Sequence, residues 1–123
     1  MYEVKILTEF SAAHQLREFR GNCEKLHGHN WKIEICVVGE QLDRTGLLID
    51  FRVVKNHTKT ILSNLDHSFL NDFAPFKDVN PSSELIAKYI FDELSKLINS
   101  PSITVSRVSA WESDSSRASY FKL

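Results

Sequence analysis

His27-Gly28-His29-Asn30-Trp31-Lys32-Ile33-Glu34-Ile35-Cys36-Val37-Val38-Gly39 is the stretch whose reading decides the fold. His27, His29, Trp31, Ile33, Ile35 and Val37 share one parity, while Asn30, Lys32 and Glu34 share the other. Successive side chains of a strand point to opposite faces, so this pattern describes a strand with one face covered and one polar. Residues 2–14 repeat it, with Tyr2, Val4, Ile6, Thr8, Phe10, Ala12 and His14 set against Glu3, Lys5 and Glu9. Between the two strands, residues 17–25 are polar and carry Gly21 and Asn22, which reads as a loop.

Outward from this pair, a helix is expected after Asp50, a good N-cap residue, running to about Asn64 with Phe51, Val54, Thr58, Ile61, Leu62 and Leu65 at helical spacing. A second is expected with Asn80 as cap, Pro81 in the first turn and Glu84 near its positive end, continuing through Leu85, Ile86, Tyr89, Ile90, Leu94, Leu97 and Ile98. Residues 103–112 and 117–123 suit two closing strands. The expectation is therefore a single domain over residues 1–123, an α+β fold with a four-stranded antiparallel sheet and two helices between the hairpins. A four-stranded sheet has free edges, and free edges invite pairing between copies, so a homo-oligomer is expected.

Composition narrows the function. In 123 residues, 15 Lys+Arg against 16 Asp+Glu leave a net charge of -1, without the basic excess of a phosphate-driven nucleic-acid binder. No apolar run approaches the ~20 residues that span a bilayer. Met1-Tyr2-Glu3-Val4-Lys5-Ile6 has neither the charged nor the apolar region of a signal peptide, so the expected location is cytoplasmic. Cys23 and Cys36 are then read as free thiols, Cys36 as a packing residue in mid-strand.

The chemistry gathers at Cys23-Glu24-Lys25-Leu26-His27-Gly28-His29. Histidines at i and i+2 of a strand project from one face and can meet one metal ion, and His14 joins that face if the first two strands form a hairpin. Read alone, the two histidines of His27-Gly28-His29 could equally be a hydrogen-bonded pair at a polar strand end. Three imidazoles without a fourth protein ligand describe a catalytic zinc site with an open position. Cys23 could close that site as a fourth ligand, or hang its thiol over the open side. Asp66-His67 could be an oriented proton relay or simply a polar helix end. Glu112 shares parity with Val108 and Ala110, so it either faces inward toward a designated partner or frays into solvent.

Taken together, these residues resemble the 6-pyruvoyltetrahydropterin and 6-carboxytetrahydropterin synthase family. The resemblance rests on Phe10-Ser11-Ala12-Ala13-His14, the Cys23 to His29 motif, residues 46–51, Leu65-Asp66-His67 with Leu70-Asn71, Asn80-Pro81-Ser82-Ser83-Glu84, and Glu112. It implies a tunnelling fold, with subunits joined edge to edge into a trimeric barrel and trimers stacked as a hexamer. It implies Zn2+ on His14, His27 and His29, a proton-transferring Cys23 with Asp66 and His67 as acid/base partners, and Glu112 holding the pterin beside Ser82, Ser83 and Glu84. The implied substrate is 7,8-dihydroneopterin triphosphate. Three residues separate Cys23 from His27, a spacing that resembles the carboxy branch, in the route to queuosine and related 7-deazaguanines; a pyruvoyl product is the alternative. A zinc hydrolase and a non-catalytic pterin- or zinc-binding module are the readings outside this chemistry. Arg17, Arg20, Lys25 and Arg117 are candidate cations for a triphosphate.

Overall fold

The computed structural model describes residues 1–18 and 24–123. Strands β1 (Tyr2–His14) and β2 (His27–Gly39) form the expected antiparallel hairpin, paired without interruption from Tyr2 opposite Gly39 to His14 opposite His27. Their shared apolar face is the floor of the core: Trp31, Ile33, Ile35 and Val37 are fully buried, with Ile6 and Phe10 beside them.

Helix α1 (Phe51–Leu62) begins on Asp50, whose carboxylate accepts from the Arg52 N–H at 2.8 Å. The Arg52 guanidinium and that same N–H hold the Asp50 pKa at about 2. Val54, Thr58, Ile61 and Leu62 are buried as the spacing predicts, but Phe51, placed on the same face, is 58% exposed. Helix α2 (Ser83–Ile98) buries Ile86, Ala87, Ile90, Phe91, Leu94 and Ile98. The expected cap at Asn80 is corrected: Ser82 caps α2, its Oγ accepting from the Leu85 N–H at 3.2 Å. Asn80 is committed elsewhere, its amide accepting from the Arg17 N–H at 2.6 Å and donating to the Arg17 carbonyl at 3.0 Å. Pro81 accordingly precedes the helix.

Strands β4 (Ile103–Ser113) and β5 (Ser116–Phe121) complete a sheet of five strands, not four. The addition is β3 (Ser68–Phe69), parallel to β1 at Ala12 and Ala13, in the order β3-β1-β2-β4-β5. Two residues carry no periodicity to read. They are drawn to the sheet by Asp66, whose Oδ1 accepts from the Ser11 N–H at 2.8 Å, and by the His67 N–H, which donates to the Ser11 carbonyl at 2.5 Å. Both helices lie on one face, α2 over β4 and β5 and α1 against β1 and α2.

Two irregularities in β4 aim its side chains. Pairing with β2 shifts between Cys36 and Val37, leaving Ser106 as an extra residue and allowing Val105 and Val108 both to be buried. Pairing with β5 shifts between Trp111 and Ser113, which puts Glu112 in a second bulge. On the uncovered face Glu34 is the hub, accepting from Trp111 Nε1 at 2.8 Å and lying 3.7 Å from Lys5 Nζ and 3.8 Å from Arg117 Nη1. Cys36 is buried, as a packing thiol should be, and burial pushes its pKa up.

Candidate metal centre

His14 ends β1 and His27 begins β2 as its register partner, while His29 stands opposite Ala12 on the same face. The three rings meet nearly at right angles, with centroids 4.6 Å (His14 to His27), 5.2 Å (His14 to His29) and 4.7 Å (His27 to His29) apart. Trp31 floors the cluster, 5.1 Å from the His14 centroid and 5.2 Å from that of His29.

Backbone carbonyls dictate the tautomers. His14 Nδ1 donates to the Pro81 carbonyl at 2.8 Å and His27 Nδ1 donates to the Lys25 carbonyl at 2.8 Å. A carbonyl only accepts, so each Nδ1 carries the proton and each neutral ring presents a bare Nε2. These two nitrogens lie 3.0 Å apart. Two lone pairs at that separation repel unless a cation lies against both. His29 Nε2 is buried without a hydrogen-bond partner; Glu112 Oε1 lies 2.9 Å away, out of line for a hydrogen bond. Burial holds the His29 pKa below the ordinary imidazole range, opposed by the Glu112 charge, and the neutral ring is the form that binds metals.

The donor atoms of His14, His27, His29 and Glu112 all lie within 4.8 Å of one another. Three imidazole nitrogens and a carboxylate oxygen, with two facing lone pairs and an orphaned ring nitrogen, fit a divalent transition metal and suit Zn2+ well. The hydrogen bonds to Pro81 and Lys25 are the outer contacts that orient such ligands.

The other expected site residues divide. Ser83 joins the cluster, its Oγ donating to Glu112 Oε2 at 3.4 Å. Ser82 spends its hydroxyl on the helix cap, and Glu84 is exposed in the first turn of α2. Asp66 and His67 pair at 3.0 Å between Oδ2 and Nδ1, and the Ser11 N–H holds the Asp66 pKa below the usual carboxylate range. His67 adopts a left-handed backbone (φ 56°), and with Ser11, Gly28 and His29 it lines a shallow groove of about 430 Å3. Cys23 and Arg20 lie outside the described residues. Arg17 is not a free cation: its guanidinium donates to the carbonyls of Val79 at 2.8 Å and Asn71 at 3.2 Å. Arg117 sits by Glu34 and over the Trp111 ring.

Two residues that sequence reasoning missed as site components are Pro81, through its carbonyl, and Asn80, which pins the segment holding it. Only the Asn-Pro dipeptide marks them, and it reads as a helix start.

A family model described as 6-pyruvoyl tetrahydropterin synthase matches residues 3–122. The 6-carboxy-5,6,7,8-tetrahydropterin synthase of Bacillus subtilis is 37% identical over 98 residues, covering 76% of this chain and 65% of that protein. Its counterpart in Synechocystis is 40% identical over 90 residues, 69% of this chain and 68% of that one. The 6-pyruvoyl tetrahydropterin synthase structure from Caenorhabditis elegans superposes with a TM-score of 0.83 at 22% identity, covering 99% of this chain and 96% of the other, a likeness of fold. Among the described residues, no helix is long and apolar enough to cross a membrane.

Proposed function

The chain belongs to the 6-pyruvoyl tetrahydropterin synthase family, and from that premise we propose that it is a zinc-dependent 6-carboxy-5,6,7,8-tetrahydropterin synthase. It converts 7,8-dihydroneopterin triphosphate and one water to 6-carboxytetrahydropterin, acetaldehyde and triphosphate. The observation that carries this reading is the convergence of His14, His27 and His29 with Glu112 in one cluster of donor atoms. The carboxy product is supported by the Bacillus and Synechocystis relatives, which bear that name. A pyruvoyl product is the second reading, favoured by a Caenorhabditis elegans relative, 30% identical over 121 residues, named as a putative 6-pyruvoyl tetrahydrobiopterin synthase.

His14, His27 and His29 would hold Zn2+, which when bound supplies Lewis acidity toward substrate oxygens. Glu112 anchors the pterin: its two carboxylate oxygens accept from the adjacent N–H donors of the 2-amino-pyrimidinone edge, with the Ser83 hydroxyl beside it. Cys23 removes a proton from the substrate side chain as a thiolate. His67, oriented by the Asp66 carboxylate at 3.0 Å, returns a proton. Copies join through the outer edge of β5 and the part of β1 beyond β3, both unpaired among the described residues, closing a barrel of three or a stack of six.

The test is to incubate the zinc-loaded protein with 7,8-dihydroneopterin triphosphate and identify the product by mass. The carboxy product is expected, a pyruvoyl product assigns the second reading, and an untouched substrate overturns both. Cys23→Ala should retain one zinc per chain while turnover falls by ~10²–10⁴. Loss of zinc along with activity would make Cys23 a ligand.

A further inference from the structure

Glu112 occupies a bulge at the end of β4, and its side chain is 39% exposed. Its Oε1 stands 2.9 Å from the orphaned Nε2 of His29, while its one hydrogen bond among the described residues is the long 3.4 Å contact from Ser83 Oγ. It is therefore weakly tethered. It also brings the donor atoms in the cluster to four, the number that closes a tetrahedral zinc site. The amino-pyrimidinone edge of a pterin, however, needs both oxygens of the same carboxylate.

We propose that Glu112 alternates between two exclusive positions, fourth metal ligand when no pterin is bound and pterin anchor when one is. The exchange rests on the pterin reading above. It resolves a conflict between the closed donor set and the open metal position that catalysis needs. The resting site is closed by a carboxylate that shields it from adventitious anions. Arrival of the pterin ring draws that carboxylate away and opens the metal just where the substrate side chain arrives. Linkage makes the effect reciprocal: whatever factor pterin costs in metal affinity, metal costs in pterin affinity.

The probe is 6-methylpterin, which has the amino-pyrimidinone edge but no side-chain oxygen to place on a metal. Pterin binding is read by fluorescence, zinc affinity by competition with a chromogenic chelator, and the ligand set by the visible bands of the cobalt-substituted protein. Saturating 6-methylpterin is expected to weaken zinc binding about tenfold and to alter the cobalt bands. Glu112→Gln, isosteric and partly exposed, should bind zinc roughly 10-fold or more weakly before pterin is added, within the range found for lost metal-site contacts. Its cobalt bands should not respond at pterin concentrations that saturate the variant. Equal zinc affinity in parent and variant without pterin overturns the proposal, as do unmoved cobalt bands in a pterin-saturated parent. A parent that binds zinc but shows no fluorescence response to 6-methylpterin overturns the pterin reading itself, and the exchange with it.

Discussion

His14 Nδ1 and the Pro81 carbonyl, 67 positions apart in the chain, meet at 2.8 Å, and this contact sets which nitrogen of the histidine faces the cluster. The carbonyl is held there by its neighbour. Asn80 grips the Arg17 backbone at both N–H and C=O, just as Asn71 grips Gln15 at 2.9 Å and 2.7 Å. Two asparagines thus act as a short strand along the exit of β1.

If Asn80 positions the Pro81 carbonyl for His14, Asn80→Ala should weaken zinc binding by about 10- to 100-fold, the range for loss of an outer contact to a ligand. Asn71→Ala removes an equivalent clasp one step away from the histidine. It should lower stability by about 1–3 kcal/mol while the folded protein keeps its zinc affinity. Competition with a chelator, alongside denaturant melts, separates the two. Equal losses of zinc affinity would show that the clasp acts only through the fold.

His27→Ala should reduce metal from one equivalent per chain to a trace, measured by elemental analysis after dialysis. His27 faces His14 across the hairpin end at 3.0 Å between Nε2 atoms, so no other described side chain replaces it. One retained equivalent would place the metal elsewhere.

Gly39→Ala should destabilise the protein by about 1–3 kcal/mol, a typical cost of overpacking. An added Cβ would stand 2.5 Å from the Ser102 carbonyl oxygen and 2.7 Å from Leu48 Cδ1. The side chain can turn aside, but the carbonyl belongs to the turn before β4. A thermal melt at unchanged Tm would show that this turn yields.

Asp50 titrates at about 2, held down by the Arg52 guanidinium and N–H. A carboxylate whose folded pKa lies below its unfolded value, about 3.9, contributes stability that is present above the unfolded value. That contribution is lost as pH falls toward 2. Asp50→Asn keeps a capping oxygen but removes the charge. The melting difference between parent and variant should therefore be full at neutral pH and shrink through the window from about 4 to about 2. A carboxyl carbon titration of the parent checks the midpoint directly; an ordinary value would show that the Arg52 pair does not persist.

The sequence by itself determined the hairpin of β1 and β2, both helices and the common face of His14, His27 and His29. Each of these rests on a repeating constraint, alternation in strands and the 3.6-residue period in helices, sustained long enough to read. Only the tertiary structure decided what rests on contacts between distant segments. Asn80 and Ser82 are both competent caps in isolation, and the backbone of Arg17 claims the first, leaving the helix to the second. β3 is two residues long and exists because Asp66 and His67 bind Ser11 across 55 or more positions. Parity with Val108 and Ala110 leaves Glu112 either facing inward or frayed into solvent, and only the folded structure chooses, bringing its Oε1 to 2.9 Å from His29 Nε2. The bulge it occupies also stays hidden, since an inserted residue appears only when the strand has a partner to count against. The tautomers of His14 and His27 were decided by carbonyls that carry no mark in the side-chain sequence, because every residue has one and only folding chooses which it serves.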